Sequence, residues 1–222
     1  MLKLTEAAES STNTTIFIYV IFSFMILIFL FRAALGYRHY KTSIFPHIYD
    51  NYLLDYYYKL NVFQDASVSQ LLKKKIGYHR LVYANIANKE GKLASHILTL
   101  IHGKGILSIA YLSSDGKISG GDSGFWNIQR EEDGQKKKYR IENPAVYLKE
   151  YISHLHQVLG DRKIESVIAV SDGCDISDVH SSFKVVNYSQ LDEVIAQTDC
   201  GYGLNETEID EIFKKLGGKT RN

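Results

Sequence analysis

One apolar stretch dominates the first part of the chain. Residues 10–31 contain no charged side chain, and residues 15–31 read TIFIYVIFSFMILIFLF. A helix needs about 20 apolar residues to cross the bilayer core, and residues 14–35 reach that length with Arg32 near the polar boundary. We therefore predict one transmembrane helix over residues 14–35, after a short extracytoplasmic N-terminus over residues 1–13.

The flanks of this stretch argue against two other interpretations. A cleaved signal peptide has a basic start and an apolar core of about 7–15 residues, whereas this run is longer and its start holds Lys3, Glu6 and Glu9. A buried core helix usually keeps a polar face, which this stretch lacks. More Lys and Arg follow the stretch than precede it, so the positive-inside rule predicts a cytoplasmic location for the residues after it.

The remaining pattern predicts a mixed α/β domain. Residues 36–62 are rich in tyrosine and form a predicted juxtamembrane connector, with a short helix over 48–60. Apolar runs predict strands over 78–86, 93–102, 106–112, 166–170 and 184–186, and residues 117–119, after a turn over 113–116, predict the start of another strand. Helical spacing and capping residues predict helices over 68–75, 143–159, 190–197 and 206–216. This order predicts a central mixed sheet with helices on its faces, a domain over residues 63–216 and a tail over 217–222.

Charged and glycine-rich segments connect these elements. Residues 130–138 (REEDGQKKK) predict a solvated hairpin tip, and the acidic turn 172–178 predicts a polar loop with helix-capping aspartates, a metal or redox site being the alternative. The glycine-rich segment 120–124 precedes Trp126 rather than a helix, so it is not a phosphate-binding loop. Lys73–Lys75 and Arg80 are basic, and we expect the lysines to be solvated after a helix. The alternative is a basic patch that binds nucleic acid or anionic lipid.

Composition narrows the possible chemistry. The 222 residues include 26 basic and 25 acidic side chains, a net charge of +1, so no global field favours a polyanion. Cys174 and Cys200 are far apart, which fits neither a disulfide framework nor a zinc site and is typical of a reducing compartment. His96 and His102 share a predicted strand but lie about 20 Å apart, too far to hold one metal.

The segment 77–126, GYHRLVYANIANKEGKLASHILTLIHGKGILSIAYLSSDGKISGGDSGFW, resembles the nuclease-related (NERD) domain. The resemblance continues through 141–144 (IENP), 167–174 (VIAVSDGC) and 208–212 (EIDEI), and it covers roughly residues 63–216. The NERD family is similar to restriction-endonuclease-like nucleases of the PD-(D/E)xK type. The resemblance therefore implies a restriction-endonuclease-like mixed central sheet flanked by helices.

The same resemblance implies where a cation would bind. Such nucleases hold a divalent cation with an acid on one strand and an E-x-K pair on the next; oxygen ligands suit Mg²⁺, which activates water. Here the family's G-x-I-x-G-like turn is 116–120, and counting back puts the E-x-K positions at Ala110 and Leu112. The acid of the preceding strand falls at Ile97, and the glutamine after N-P falls at Tyr147.

The implied cation site is therefore degenerate. A helix glutamate of the family falls near Asp65, which is acidic but alone. Apolar replacements suit a site that no longer binds metal, because isolated buried charges are costly. We expect no catalytic residue, no metal and no cofactor.

These expectations define a hypothesis and two alternatives. We expect a membrane-anchored, catalytically inactive NERD-like protein that acts as a cytoplasmic scaffold or interaction module. Its expected partners are the lipid bilayer and a protein whose identity the sequence does not give. The alternatives are a nuclease with a relocated site on Asp65, Asp115 or Asp122, and a nucleic-acid binder that does not cleave.

Overall fold

The computed structural model describes residues 2–49 and 67–218, and it describes side chains from residue 17 onward apart from residues 18 and 39. The chain divides into two compact units, one ending at Lys41 and the other beginning at Thr42. Asp65 lies outside the described residues. The helix predicted over 48–60 also lies outside them, apart from residues 48 and 49.

The first unit is a single helix, α1, over Leu2–Lys41. Its segment Tyr19–Arg38 is long and apolar enough to cross a membrane, and none of it is buried. Large side chains such as Phe29 are exposed, which in water would leave an apolar surface larger than soluble proteins usually carry. The predicted apolar N-terminal helix is thus present, and it continues beyond residue 35 through the first residues of the predicted connector.

The second unit alternates short helices with strands among its described residues. The first elements are α2 (Phe45–Ile48), α3 (Gln70–Ile76), β1 (His79–Ala87), β2 (Leu93–His102), β3 (Gly105–Leu112), β4 (Gly116–Gly120), β5 (Trp126–Glu132) and β6 (Gln135–Ile141). They are followed by α4 (Pro144–Leu159), β7 (Glu165–Val170), β8 (Cys174–Val179), β9 (Lys184–Asn187), a 3₁₀ turn (Tyr188–Gln190), α5 (Leu191–Gln197) and α6 (Glu206–Lys215). The hairpin predicted around 130–138 is the β5–β6 hairpin.

The strands form two mixed sheets rather than the single central sheet predicted. The five-stranded sheet has the order β1-β2-β3-β7-β9, antiparallel through β3 and parallel from β3 to β9. The four-stranded sheet has the order β6-β5-β4-β8, with β4 and β8 parallel. The chain leaves the first sheet after β3 because β4 pairs with β5 and β8 instead of with β3.

The core lies on both faces of the five-stranded sheet. On one face, α2, α3 and α5 pack Ile48, Leu72 and Leu191 against the strands. The opposite face is covered by α4, α6 and the four-stranded sheet. Successive side chains of β2 and β3 point to opposite faces, and most of them are buried, as expected for strands covered on both sides.

Two segments extend beyond the predicted strands. The strand predicted to start over 117–119 is β4, which also includes Gly116 and Gly120 of the turn that the resemblance implies, and the acidic turn 172–178 contains β8. Gly116 has φ +93°, and a Cβ there would overlap the Gln129 carbonyl oxygen. A Cβ on Gly120 would overlap the Trp126 ring. The two glycines are therefore needed because β5 approaches β4 closely, not because the chain reverses there.

Capping residues fix the helix that covers the sheet. Asn143 Oδ1 accepts a hydrogen bond of 2.9 Å from the Ala145 amide, and Pro144 occupies the first helical position of α4. Asn143 Nδ2 also donates to the Gly121 carbonyl at 2.9 Å, which ties α4 to the loop before β5. The predicted start of this helix is confirmed, and its cap also positions it against the second sheet.

A half-buried ion pair holds α6 against β1. Arg80 Nε donates to Asp210 Oδ1 at 2.7 Å, and Tyr78 Oη donates to the same carboxylate. The hydrogen bond from Arg80 holds the pKa of Asp210 below its ordinary value. Arg80 therefore has a structural partner and does not extend the solvated lysines of α3, contrary to the basic patch suggested by the sequence.

Candidate functional site

Two positions where the resemblance implies metal ligands face each other across β2 and β3. Ile97 and Ala110 are register partners, Ala84 pairs with Ile97 on β1, and Ile168 pairs with Ala110 on β7. This row crosses the sheet without a polar side chain. Ile97 is 1% exposed, and Ala110 and Ile168 are fully buried.

The row belongs to an apolar layer between the two sheets, which we call the inter-sheet cluster. Its buried members are Ile97, Ala110, Ile118, Trp126, Ile128, Ala145, Leu148, Ile168, Val170 and Cys174. Leu112 packs at its margin and is half-buried. An unpaired carboxylate in such surroundings costs several kcal/mol. The cluster therefore offers packing and neither ligands nor an acid–base group.

A buried polar row lies beside the apolar one. Thr99 and Ser108 are register partners, both fully buried, and Tyr151 Oη lies 3.0 Å from Thr99 Oγ1. Burial raises the pKa of Tyr151. No imidazole or carboxylate of the described residues hydrogen-bonds to these hydroxyls, so none is activated as a nucleophile. No pattern in the sequence marks this row, because Thr99 and Ser108 lie within otherwise apolar strands.

An open cleft of about 320 Å³ lies between β1, α4 and the C-terminal end of α6. Val82, Ala84 and Tyr151 form part of its wall, and the exposed side chains of His154 and Lys215 also line it. Two basic groups and no carboxylate line the cleft. It is therefore not arranged to hold a divalent cation, although it lies against the same sheet face as the degenerate row.

Tyr147, at the position of the family's glutamine, has a structural contact. Its Oη donates to Glu142 Oε2 at 2.9 Å, and Asn88 Nδ2 donates to Glu142 Oε1 at 2.9 Å. Partial burial and the Glu142 carboxylate raise the pKa of Tyr147. These contacts join the turn after β1 to the start of α4.

The two described acids of the relocated-site alternative, Asp115 and Asp122, each have a structural partner. Asp115 Oδ1 lies 2.7 Å from Arg130 Nε. Asp122 accepts from Ser181 Oγ at 2.6 Å and from the Ser182 amide at 2.9 Å, and the bond from Ser181 lowers the pKa of Asp122. Asp65 lies outside the described residues. Asp115 and Asp122 thus brace a strand and a loop, respectively.

The aspartates of the acidic turn 172–178 have structural partners. Asp172 Oδ1 accepts from the Ser189 amide at 2.8 Å, and Asp178 Oδ2 lies 2.8 Å from Lys117 Nζ. Cys174 is buried, and burial raises the pKa of its thiol, which disfavours the reactive thiolate. Across residues 2–49 and 67–218, no group of three or more His, Cys, Asp or Glu side chains is arranged to hold a metal ion.

The two histidines of β2, His96 and His102, lie in different environments. His96 Nδ1 lies 2.8 Å from Asn85 Oδ1, and its ring stacks on Tyr111 at 5.2 Å between centroids. His102 is 1% exposed, and its Nε2 has no hydrogen-bond partner within the described part of the chain. Burial and the neighbouring His79 lower the pKa of His102 to about 4, so its ring is neutral at pH 7.

Comparison of the chain with family models, with curated proteins and with solved structures gives no match. The fold itself defines the class: a mixed α/β domain of two mixed sheets flanked by helices, in a chain whose N-terminal helix is apolar enough to span a membrane. A fold class does not carry a function, so function rests on the geometry of the degenerate row.

Proposed function

We propose that this chain is a membrane-anchored, catalytically inactive member of the NERD type, with a restriction-endonuclease-like ancestry, that acts as an interaction module. The observation that carries the proposal is the row Ala84–Ile97–Ala110–Ile168. Its members Ile97 and Ala110 stand at the two positions where the resemblance implies carboxylates. The row is apolar throughout, and Ile97, Ala110 and Ile168 are buried. Such a site excludes the hydrated Mg²⁺ on which this nuclease chemistry depends.

The anchor in this proposal is α1. Its apolar segment meets the length that a bilayer core requires. Arg32, Arg38 and Lys41 follow the uncharged stretch 10–31, whereas Lys3 precedes it, which supports a cytoplasmic domain by the positive-inside rule. Protease added outside sealed cells should leave the domain intact and digest it after permeabilisation. Digestion before permeabilisation would reverse the proposed orientation.

A hydrolysis assay tests the loss of catalysis. Full-length protein in detergent or bilayers is incubated with single- and double-stranded DNA and with RNA, in Mg²⁺ and in Mn²⁺. We expect no cleavage above that of a mock purification. Cleavage that disappears on Asp65→Asn, Asp115→Asn or Asp122→Asn, and persists in the control Asp175→Asn, would establish the relocated-site alternative.

A further inference from the structure

We propose that the outer face of the four-stranded sheet binds the same face of a second copy of this chain, related by a two-fold axis parallel to the strands. Alternation along the strands assigns this face, which points away from Trp126 and Ile128. The inference deepens the proposed function and rests on its membrane-anchored interaction module, since it names the module's partner.

The face carries opposite charges at its two edges. Lys136, Lys138 and Arg140 project from β6, all of them exposed. Asp175 and Asp178 project from β8 at the other edge, each with about half of its side chain exposed. Three strand spacings separate β6 from β8, about 14 Å. The face therefore has a basic edge and an acidic edge.

The charges are aligned in rows across the sheet. Lys138 is in register with Gln129, Lys117 and Asp175, and Arg140 is in register with Asn127, Ser119 and Asp178. Each row therefore has a cation on β6 at one end and an anion on β8 at the other.

A two-fold axis along the strands, between β4 and β5, preserves these rows. It places β6 of one copy over β8 of the other at the same height along the strands. Lys138 then faces Asp175 of the second copy, and Arg140 faces Asp178. Each contact occurs twice because the interface is isologous. In the middle of the face, Ser119 faces Asn127 of the second copy. Lys117, which is paired with Asp178 of its own copy, faces Gln129 of the second copy.

Mixed charge argues against a polyanion on this face. A nucleic acid or an anionic bilayer lying across it would meet Asp175, Asp178 and Glu131 as well as the basic edge. Lys117 in the middle of the face is already engaged, because Asp178 accepts from it and raises the pKa of its ammonium group. A partner with the same separation of charge, turned by two-fold symmetry, matches both edges.

The basic side chains of β6 are exposed and available for such a contact. Arg140 lies over the Phe125 ring at 4.1 Å, which orients its guanidinium without neutralising it. No carboxylate of the described residues forms an ion pair with Lys136, Lys138 or Arg140. These lysines also protect the free edge of β6 from pairing with other strands, so face-to-face contact is favoured over strand addition.

The size of the face sets the conditions for association. Four strands of about five residues present roughly 300 Å² per copy, whereas stable complexes bury about 800 Å² per partner. The contact is therefore weak in solution. Confinement of two copies to one membrane by α1 raises their effective concentration and makes it significant.

Charge exchange within one row provides the test. Full-length copies labelled with donor or acceptor fluorophores are reconstituted in phosphatidylcholine vesicles at low protein density, and energy transfer is recorded. We expect transfer for the wild type and its loss, with association roughly tenfold weaker, for Lys138→Glu alone and for Asp175→Lys alone. Mixing Lys138→Glu donors with Asp175→Lys acceptors should restore it, because both rows again join opposite charges.

Controls separate this contact from other causes. Lys89→Glu with Lys92→Glu, on the turn after β1, changes charge on another surface and should leave transfer unchanged. Transfer that survives both row variants, no transfer in the wild type, or a mixture no better than either variant would each overturn the proposal. So would binding of the wild type to phosphatidylserine vesicles that Lys138→Glu abolishes while transfer persists. Nuclease activity is read in a separate assay, so failure of the proposed function remains distinguishable.

Discussion

Replacing Ile97 by alanine probes the centre of the inter-sheet cluster. Ile97 is 1% exposed, and its register neighbours on both sides are alanines, Ala84 and Ala110. The substitution removes three carbon atoms, worth about 2.4 kcal/mol at 0.8 kcal/mol per methylene. The small neighbours cannot fill the space, so the cavity adds to this and we expect a total loss of about 4 kcal/mol.

Trp126 supplies the readout for this prediction. It is the only tryptophan of the chain, it is fully buried, and it belongs to the same cluster. Urea unfolding of the full-length protein in micelles, followed by Trp126 fluorescence, should show a midpoint lowered by about 2 M if the urea dependence is about 2 kcal/mol per M. Ile97→Val should cost only about 1 kcal/mol.

An exposed residue of the same strand is the matched control. Leu93 of β2 is 56% exposed, so Leu93→Ala should change stability by less than about 0.5 kcal/mol. A cost below about 1 kcal/mol for Ile97→Ala would refute the close packing on which the argument rests. So would an Ile97→Asp variant whose midpoint rises on addition of Mg²⁺, because that requires cation access to the row.

Three further substitutions test separate parts of the structure, each by urea unfolding of the full-length protein. The pKa of His102, about 4, lies below the ordinary 6.5, so between these values the unfolded chain binds a proton that the folded chain does not. Stability contributed by neutral His102 should be complete above pH 6.5 and fall by about 3 kcal/mol toward pH 4; His102→Gln should lose that part of the pH dependence, and an unchanged profile would contradict the assignment. Gly116→Ala should cost more than about 2 kcal/mol, since strain at positive φ adds to overlap with Gln129, whereas Gly124→Ala, with open space around its Cβ, should cost about 1 kcal/mol. Asn143→Ala should cost about 1–2 kcal/mol through loss of the cap of α4, and a cost near zero would show that Pro144 alone sets the start of the helix.

Local patterns predicted the elements with strong periodicity. The strands over 93–102 and 106–112 agree with β2 and β3 to within a residue, because their apolar runs are bounded by glycine turns. The helix over 143–159 agrees with α4, because Asn143, Pro144 and Gly160 mark its ends. Such signals depend only on neighbouring residues.

Pairing between distant segments is what the sequence did not reveal. The Asp-rich segment of β8 reads as a loop, and it becomes a strand because β4 pairs with it in parallel. That pairing also creates the second sheet, which no local pattern indicates. At the degenerate row, the types of Ile97 and Ala110 were visible in the sequence, but their pairing and their burial in one cluster with Trp126 depend on the meeting of distant segments.

Paramagnetic broadening of methyl resonances tests the absence of a cation site most directly. Full-length protein labelled at the methyl groups of isoleucine and alanine is titrated with Mn²⁺, and the Ile97 and Ala110 signals are followed by NMR. The proposed function predicts that both signals stay sharp at Mn²⁺ concentrations that broaden methyls near exposed acids. Selective, saturable broadening of Ile97 and Ala110 would show a bound cation beside the row and contradict it.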